Sequence, residues 1–282
     1  MLASIPSPSS GSISIGPLSI HAYGLMIALG VIAAVWLCGR RLEAAGTGTK
    51  EDINSIAVWA VIAGVIGSRL YYVVTDKSDP WKHPVKALQI WNGGLGIPGG
   101  LIGGIGVGLW LAKRRNVKPL DLATAAAPAI PLAQAIGRLG NWWNQELFGK
   151  PTTLPWAVRI DDEHLVQNGI AYPHGTTFHP TFLYEMLWNL ALVGVLLLIE
   201  RKLKLRPGRL MVVYILGYFT GRFWVEGLRI DNAKSGGLRL NQWVALVVVV
   251  GSIAFLVVDW LRHRHDPESI EVADEEYVPA DE

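Results

Sequence analysis

The strongest constraint on this chain is a series of apolar runs long enough to cross a bilayer. The hydrocarbon core is roughly 30 Å thick and takes about 20 residues of helix to span. Seven such stretches can be marked, at about residues 20–38, 53–74, 95–112, 120–136, 182–199, 210–227 and 243–261. Within lipid every backbone polar group must be satisfied internally, so separate apolar runs of this length imply helices. Charged residues make up 17% of the 282 residues, against about 25% in soluble domains. The expected fold is an all-α integral membrane protein with seven transmembrane helices.

Alternate loops differ in basic charge. One set carries Arg40, Arg41, Lys50, Lys113, Arg114, Arg115, Lys118, Arg201, Lys202, Lys204, Arg206, Arg209, Arg262 and Arg264. The other carries Lys77, Lys82, Lys86, Arg138, Lys150, Arg159, Arg229, Lys234 and Arg239. The positive-inside rule then predicts the N-terminus outside and the C-terminus in the cytoplasm. Three parts are expected: a flexible segment over 1–18, a membrane domain over 19–264, and an acidic, disordered tail over 265–282. A small extracytoplasmic head is expected within the membrane domain, at about 137–182. The fourth span carries Pro128 and Pro131, so it is expected to be short and kinked.

Against this apolar background, polar residues gather at one membrane depth. Residues 137–149 read Gly-Arg-Leu-Gly-Asn-Trp-Trp-Asn-Gln-Glu-Leu-Phe-Gly, directly after the fourth apolar run. Tyr218, Arg222 and Glu226 follow at i, i+4 and i+8 in the sixth span, with Arg229 three further on, which would place all four on one helical face. Arg69 and Tyr23 are expected near the outer ends of spans two and one. A buried arginine costs about 2.5–3.5 kcal/mol even on lenient insertion scales, so such residues point to function. A self-neutralising Arg–Glu pair between helices is the plainer reading.

Several other chemistries find no support. The net charge of +2 and the absence of a basic run interleaved with aromatics argue against a nucleic-acid partner. The single cysteine, Cys38, excludes an intrachain disulfide and reads as inert packing. Gly94-Leu95-Gly96-Ile97-Pro98-Gly99 fits G-x-G-x-x-G, yet no strand precedes it; its glycines are better read as close helix packing. Gly217 and Gly221 invite the same reading. His179 could be a base, a metal ligand or a structural hydrogen-bonding group, but no second histidine lies at helical spacing. His174 and the run Asp161, Asp162, Glu163 read as solvated loop. No Ser–His–Asp order and no G-x-S-x-G elbow is present. If the chain is an enzyme, the attacking atom belongs to its substrate.

The stretch 137–149 resembles the signature of the prolipoprotein diacylglyceryl transferase family, G-R-x-G-N-x-x-N-x-E-x-x-G, at every specified position. Other segments resemble the family as well: Tyr23-Gly24-Leu25-Met26, Gly67-Ser68-Arg69, Gly99-Gly100-Leu101-Ile102-Gly103, His179-Pro180 with Tyr184-Glu185, and the residues of span six. The resemblance implies a seven-helix body in a bacterial cytoplasmic membrane, with its active site facing outward and no cofactor or metal. It implies transfer of the diacylglyceryl group of phosphatidylglycerol to the lipobox cysteine of an exported prolipoprotein, forming a thioether and releasing glycerol phosphate.

On that reading Arg138 and Arg222 are the catalytic cations, with Arg229 and Arg69 behind them. Asn141, Asn144 and Gly149 shape the lipid site, Glu146 and Glu226 orient the arginines, and Tyr23 and Tyr218 donate to headgroup oxygens. Many family members carry a histidine just before the Gly-Gly-Leu-Ile-Gly segment, where this chain has Pro98. Catalysis is therefore expected to need no histidine base there. The rival reading is a lipid or anion transporter or channel, which would also use glycines and intramembrane arginines. Polar residues confined to one side, and no internal repeat, favour the enzyme.

Overall fold

A computed structural model describes residues 4–15, 18–75, 94–167, 170–203, 205–230 and 236–264. The connector after the second span and the acidic tail lie outside these residues. Among the described residues there are seven α-helices: α1 (Ala22–Ala44), α2 (Lys50–Thr75), α3 (Ile97–Arg114), α4 (Pro119–Trp143), α5 (Thr181–Lys202), α6 (Arg209–Gly227) and α7 (Leu240–His263). Five of them, α1, α2, α4, α5 and α7, are long and apolar enough to cross a membrane. The other two have 18 and 19 residues; glycine and terminal cations dilute α3, and Arg222 and Glu226 dilute α6. The helices leave large apolar side chains outward, Ile102 at 75% and Val247 at 68% exposure, as a lipid-facing surface requires.

The chain divides into two compact units, one of Val35–Ala125 and one of Met1–Ala34 with Ala126–Glu282. In the first, α2 and α3 pack backbone to backbone. A Cβ on Gly99 would lie 2.1 Å from the Gly67 carbonyl oxygen, and one on Gly103 2.4 Å from that of Ala63. The glycines of the third span therefore serve helix approach, as expected. Pro98 sits in the first turn of α3, where its missing N–H is harmless.

Helix α4, which enters the second unit at Ala126, departs from expectation. It runs unbroken through buried Pro128 and Pro131 and continues past Ile136 to Trp143. Half of the 137–149 motif is thus helical rather than loop. The N-terminal residues also differ from a flexible segment. Strand β1 (Ser12–Ile15) pairs antiparallel with β2 (Leu18–His21), and Ile5 exchanges backbone hydrogen bonds with Ala157 and Arg159. Two further short ladders join β3 (Val158–Arg159) to β6 (Thr177–Phe178) and β4 (Val166–Gln167) to β5 (Ile170–Ala171). Phe148, Val158, Ile160, Leu165, Phe178 and Phe182 close over one another as the core of this small, strand-bearing part. A separate core of Ala127, Leu192, Leu196, Leu210 and Tyr214 joins α4, α5 and α6.

Candidate active site

The site grows from three helix segments of the second unit. Arg138 and Asn141 stand three residues apart on the last turns of α4, Glu185 lies on the second turn of α5, and Arg222 and Glu226 face each other one turn apart on α6. Arg138 Nη1 donates to Asn141 Oδ1 at 3.1 Å, and its Nη2 reaches Glu185 Oε2 at 2.5 Å. Arg222 Nη1 donates to the other Glu185 oxygen at 3.0 Å. One carboxylate, 9% exposed, thus holds two guanidiniums that are each 20% exposed. The two cations come from helices far apart in sequence and meet on a single anion.

The network continues to both sides. Asn141 Nδ2 donates to Glu146 Oε1 at 2.8 Å. Arg222 Nη2 stands 2.9 Å from Glu226 Oε2, at an angle that makes an ion pair and no directed hydrogen bond. Arg239 lies 3.6 Å from Glu226 Oε1, to which Asn241 donates at 3.2 Å. Buried charges are tolerable only when paired and hydrogen-bonded in this way.

Of the two carboxylates expected to orient the arginines, Glu226 does so directly and Glu146 acts through Asn141. The principal one, Glu185, sits in a family-like segment but carries no helical-spacing signal linking it to Arg138 or Arg222. Arg239 and Asn241 were equally illegible, since only tertiary packing brings α7 to Glu226. Arg229 does not share the helical face of Arg222: α6 ends at Gly227, and Arg229 lies beyond the cap. Its backbone accepts a hydrogen bond from Arg239 Nη2 at 2.6 Å and bridges to Gly149.

The motif glycines have steric reasons. A Cβ on Gly140 would lie 2.6 Å from the Tyr23 ring, so the tyrosine packs directly on the α4 backbone. A Cβ on Gly149 would press on His179, Thr181 and the Leu228 carbonyl, all within about 3 Å. Between them, Gln145 and Leu147 hold left-handed backbone, φ 52° and 57°. Such conformations cost about 1–3 kcal/mol each and persist where surroundings enforce them. Here Gln145 is pinned by Asp161, whose N–H donates to Oε1 at 2.7 Å, and by the Pro8 carbonyl, which accepts from Nε2 at 3.1 Å. Asp161 is therefore a structural anchor rather than mere solvated charge. Asn144 and Glu146 line an open, polar cavity with Pro8, Ser9 and Gly11.

His179 stands apart from the arginines. Its Nδ1 lies 3.1 Å from the Tyr184 hydroxyl, which also accepts from Trp156 Nε1 at 3.0 Å. Burial, with a lesser push from Lys150, holds its pKa below the ordinary imidazole value. Its backbone joins Gly149 and Lys150 at the start of α5. His174 is exposed and paired with Asp162. Arg69 belongs to the other unit, where it donates to the Gly94 carbonyl at 2.9 Å and lies over the Tyr72 ring. Tyr218 packs on Tyr214 and lines a cavity with Arg222. Gly217 and Gly221 lie under Leu192 and Trp188, as helix packing predicts. Among the described residues no cluster of three metal-ligating side chains occurs.

The sequence of the chain matches those of known proteins closely. The family model described as prolipoprotein diacylglyceryl transferase matches residues 11–258. The phosphatidylglycerol–prolipoprotein diacylglyceryl transferase of Frankia alni is 48% identical over 273 residues, covering 95% of this chain and 70% of that protein. Transferase 2 of Streptomyces coelicolor, of the same name, is 47% identical, covering 94% and 83%. The protein so named in Cutibacterium acnes is 46% identical, covering 93% and 88%.

Proposed function

We propose a mechanism on the premise that the chain belongs to the prolipoprotein diacylglyceryl transferase family, and so moves the diacylglyceryl group of phosphatidylglycerol onto a prolipoprotein. The acceptor is the lipobox cysteine. Its sulfur forms a bond to the terminal glyceryl carbon of the diacylglyceryl group, and the bond from that carbon to the phosphate oxygen breaks. Glycerol phosphate leaves with the electron pair, and the thiol proton is lost to the medium.

Making the thiolate at pH 7 from a thiol of pKa near 8.5 costs roughly 2 kcal/mol. The larger demand is negative charge gathering on the departing phosphate, which fixed cations in a water-poor site stabilise best. Arginine answers it with a permanent charge and a planar fork matched to phosphate oxygens. The observation that carries the reading is Glu185 shared by Arg138 and Arg222, which holds two guanidiniums from different helices side by side. Paired guanidiniums offer a phosphate two forks at once. Asn141 and Asn144 hold ester or glycerol oxygens, Tyr23 and Tyr218 donate to headgroup oxygens, and the Gly149 turn supports the wall. Arg229 is a further phosphate or headgroup contact, and Arg69, within its own unit, is a second-rank lipid-headgroup contact. His179 is assigned a structural part at the start of α5.

The site faces the extracytoplasmic side of a bacterial cytoplasmic membrane, in a chain of seven spans with its N-terminus outside. The basic-residue bias of the loops supports this orientation, with residues of about 137–182 as the head and the acidic tail in the cytoplasm.

The test is incubation of purified protein with phosphatidylglycerol and a lipobox peptide, read by product mass. The wild type should add one diacylglyceryl group to the cysteine. Arg138→Ala should lose turnover by at least about 100-fold, as expected for removal of a charge-stabilising donor, while remaining folded. Full transfer by that variant would overturn the assignment of Arg138.

A further inference from the structure

A second polar group lies beneath the shared carboxylate and takes no part in the chemistry above. Asn189 follows Glu185 by one turn of α5, on the same face. It is 2% exposed, and its Oδ1 is buried without a hydrogen-bond partner among the described residues. It lines a narrow cleft with Glu185, Trp188, Tyr218, Gly221 and Arg222. The cleft has room for about one water-sized group, so a single hydroxyl can enter it and an acyl chain cannot.

Two of the neighbours have already spent their hydrogen-bonding capacity. Trp188 Nε1 donates to the Gly217 carbonyl at 2.9 Å, and both Glu185 oxygens hold guanidiniums. What the cavity offers is an acceptor beside a cation. A buried acceptor without a donor costs about 1–3 kcal/mol, so a group that donates to it gains specificity from that relief.

On the reading that phosphatidylglycerol is the donor lipid, its chemistry narrows what can fill this role. Acyl chains and esters carry no donor, and the phosphodiester is ionised at neutral pH. The only O–H groups on the lipid are those of the head glycerol, a few bonds from the phosphate that Arg222 would hold. We propose that Asn189 is a specificity-determining residue, whose Oδ1 accepts a hydrogen bond from a hydroxyl of the glycerol headgroup. It distinguishes hydroxylated headgroups from others of equal charge.

The experiment compares transfer to a lipobox peptide from phosphatidylglycerol and from phosphatidylethanol, which has the same phosphodiester charge and no head hydroxyl. The wild type should prefer phosphatidylglycerol by about ten-fold or more in kcat/KM, the scale of one lost buried partner. Asn189→Leu should collapse that ratio toward one by losing phosphatidylglycerol activity selectively. Asn189→Ala, which only removes atoms, supplies the same comparison if the leucine variant does not fold. An equal loss on both lipids would mean a structural role and overturns the proposal. So does an unchanged ratio, or a rise in peptide KM with the lipid ratio intact. Failure of the wild type to use either lipid would instead sink the transferase reading itself.

Discussion

Glu185 bears on the arginines more than any other single residue. Its two oxygens fix Arg138 and Arg222 at 2.5 and 3.0 Å, so its removal moves both cations at once. Glu185→Gln keeps the shape and removes the anion. Turnover should fall by about 100-fold, the cost of misplacing a catalytic group by roughly 1 Å, with the protein still folded. Activity within two-fold of wild type would show that the arginines hold their positions without it. His179 offers a contrasting test. Its native pKa is depressed, chiefly by burial, so the unfolded chain binds its proton more readily. The stability it contributes is fully present above the unfolded imidazole value near 6.5 and is lost as pH falls through the lower native value. His179→Gln should therefore flatten the loss of thermal stability on the acid side while turnover at pH 7 persists. An imidazole seen by NMR to titrate above 7 would contradict this.

At the scale of elements, what was legible followed periodicity and what was not followed packing. Seven helices could be placed because apolar runs need no partner to announce themselves. The end of α4 could not, because Arg138, Asn141 and Trp143 look like loop residues once the apolar run stops, yet ion pairs and contacts with Tyr23 and Phe182 carry the helix onward. Arg138 and Arg222 were readable as costly charges; Glu185 was hidden because an acid near a helix start has many uses. The left-handed Gln145 was hidden for a similar reason, since its support comes from Asp161 and Pro8. Glycines in α3 were readable, and they invite a direct check. Gly99→Leu would drive a side chain into the Gly67 carbonyl and should destabilise the α2–α3 pair by about 1–3 kcal/mol or more. Gly106 has open space around its missing Cβ, so Gly106→Ala should be neutral or slightly stabilising in detergent melts. Equal melting of the two variants would refute the packing account.

For the whole molecule, the proposal that seven spans place the head outside can be tested on the intact cell. Cys38 is buried at 3% exposure, so it gives little background to thiol labelling. A cysteine at Glu163, exposed in the head, should react with a membrane-impermeant maleimide added to whole cells. One at Arg114, exposed at the far end of α3, should react only after permeabilisation. The reverse pattern would invert the orientation and place the arginine site on the cytoplasmic face.

The hydrogen bonds of Ile5 also set a timetable for biosynthesis. Its backbone partners, Ala157 and Arg159, are made about 150 residues later. At about 5–20 residues per second this is a delay on the order of ten to thirty seconds. Through that interval the segment that will touch Gln145 waits while the four helices between it and its partners are made. The strained turn after α4 cannot be locked until Pro8 and Asp161 arrive together. The native form of that turn is thus withheld from the nascent chain and granted only after its middle has been delivered.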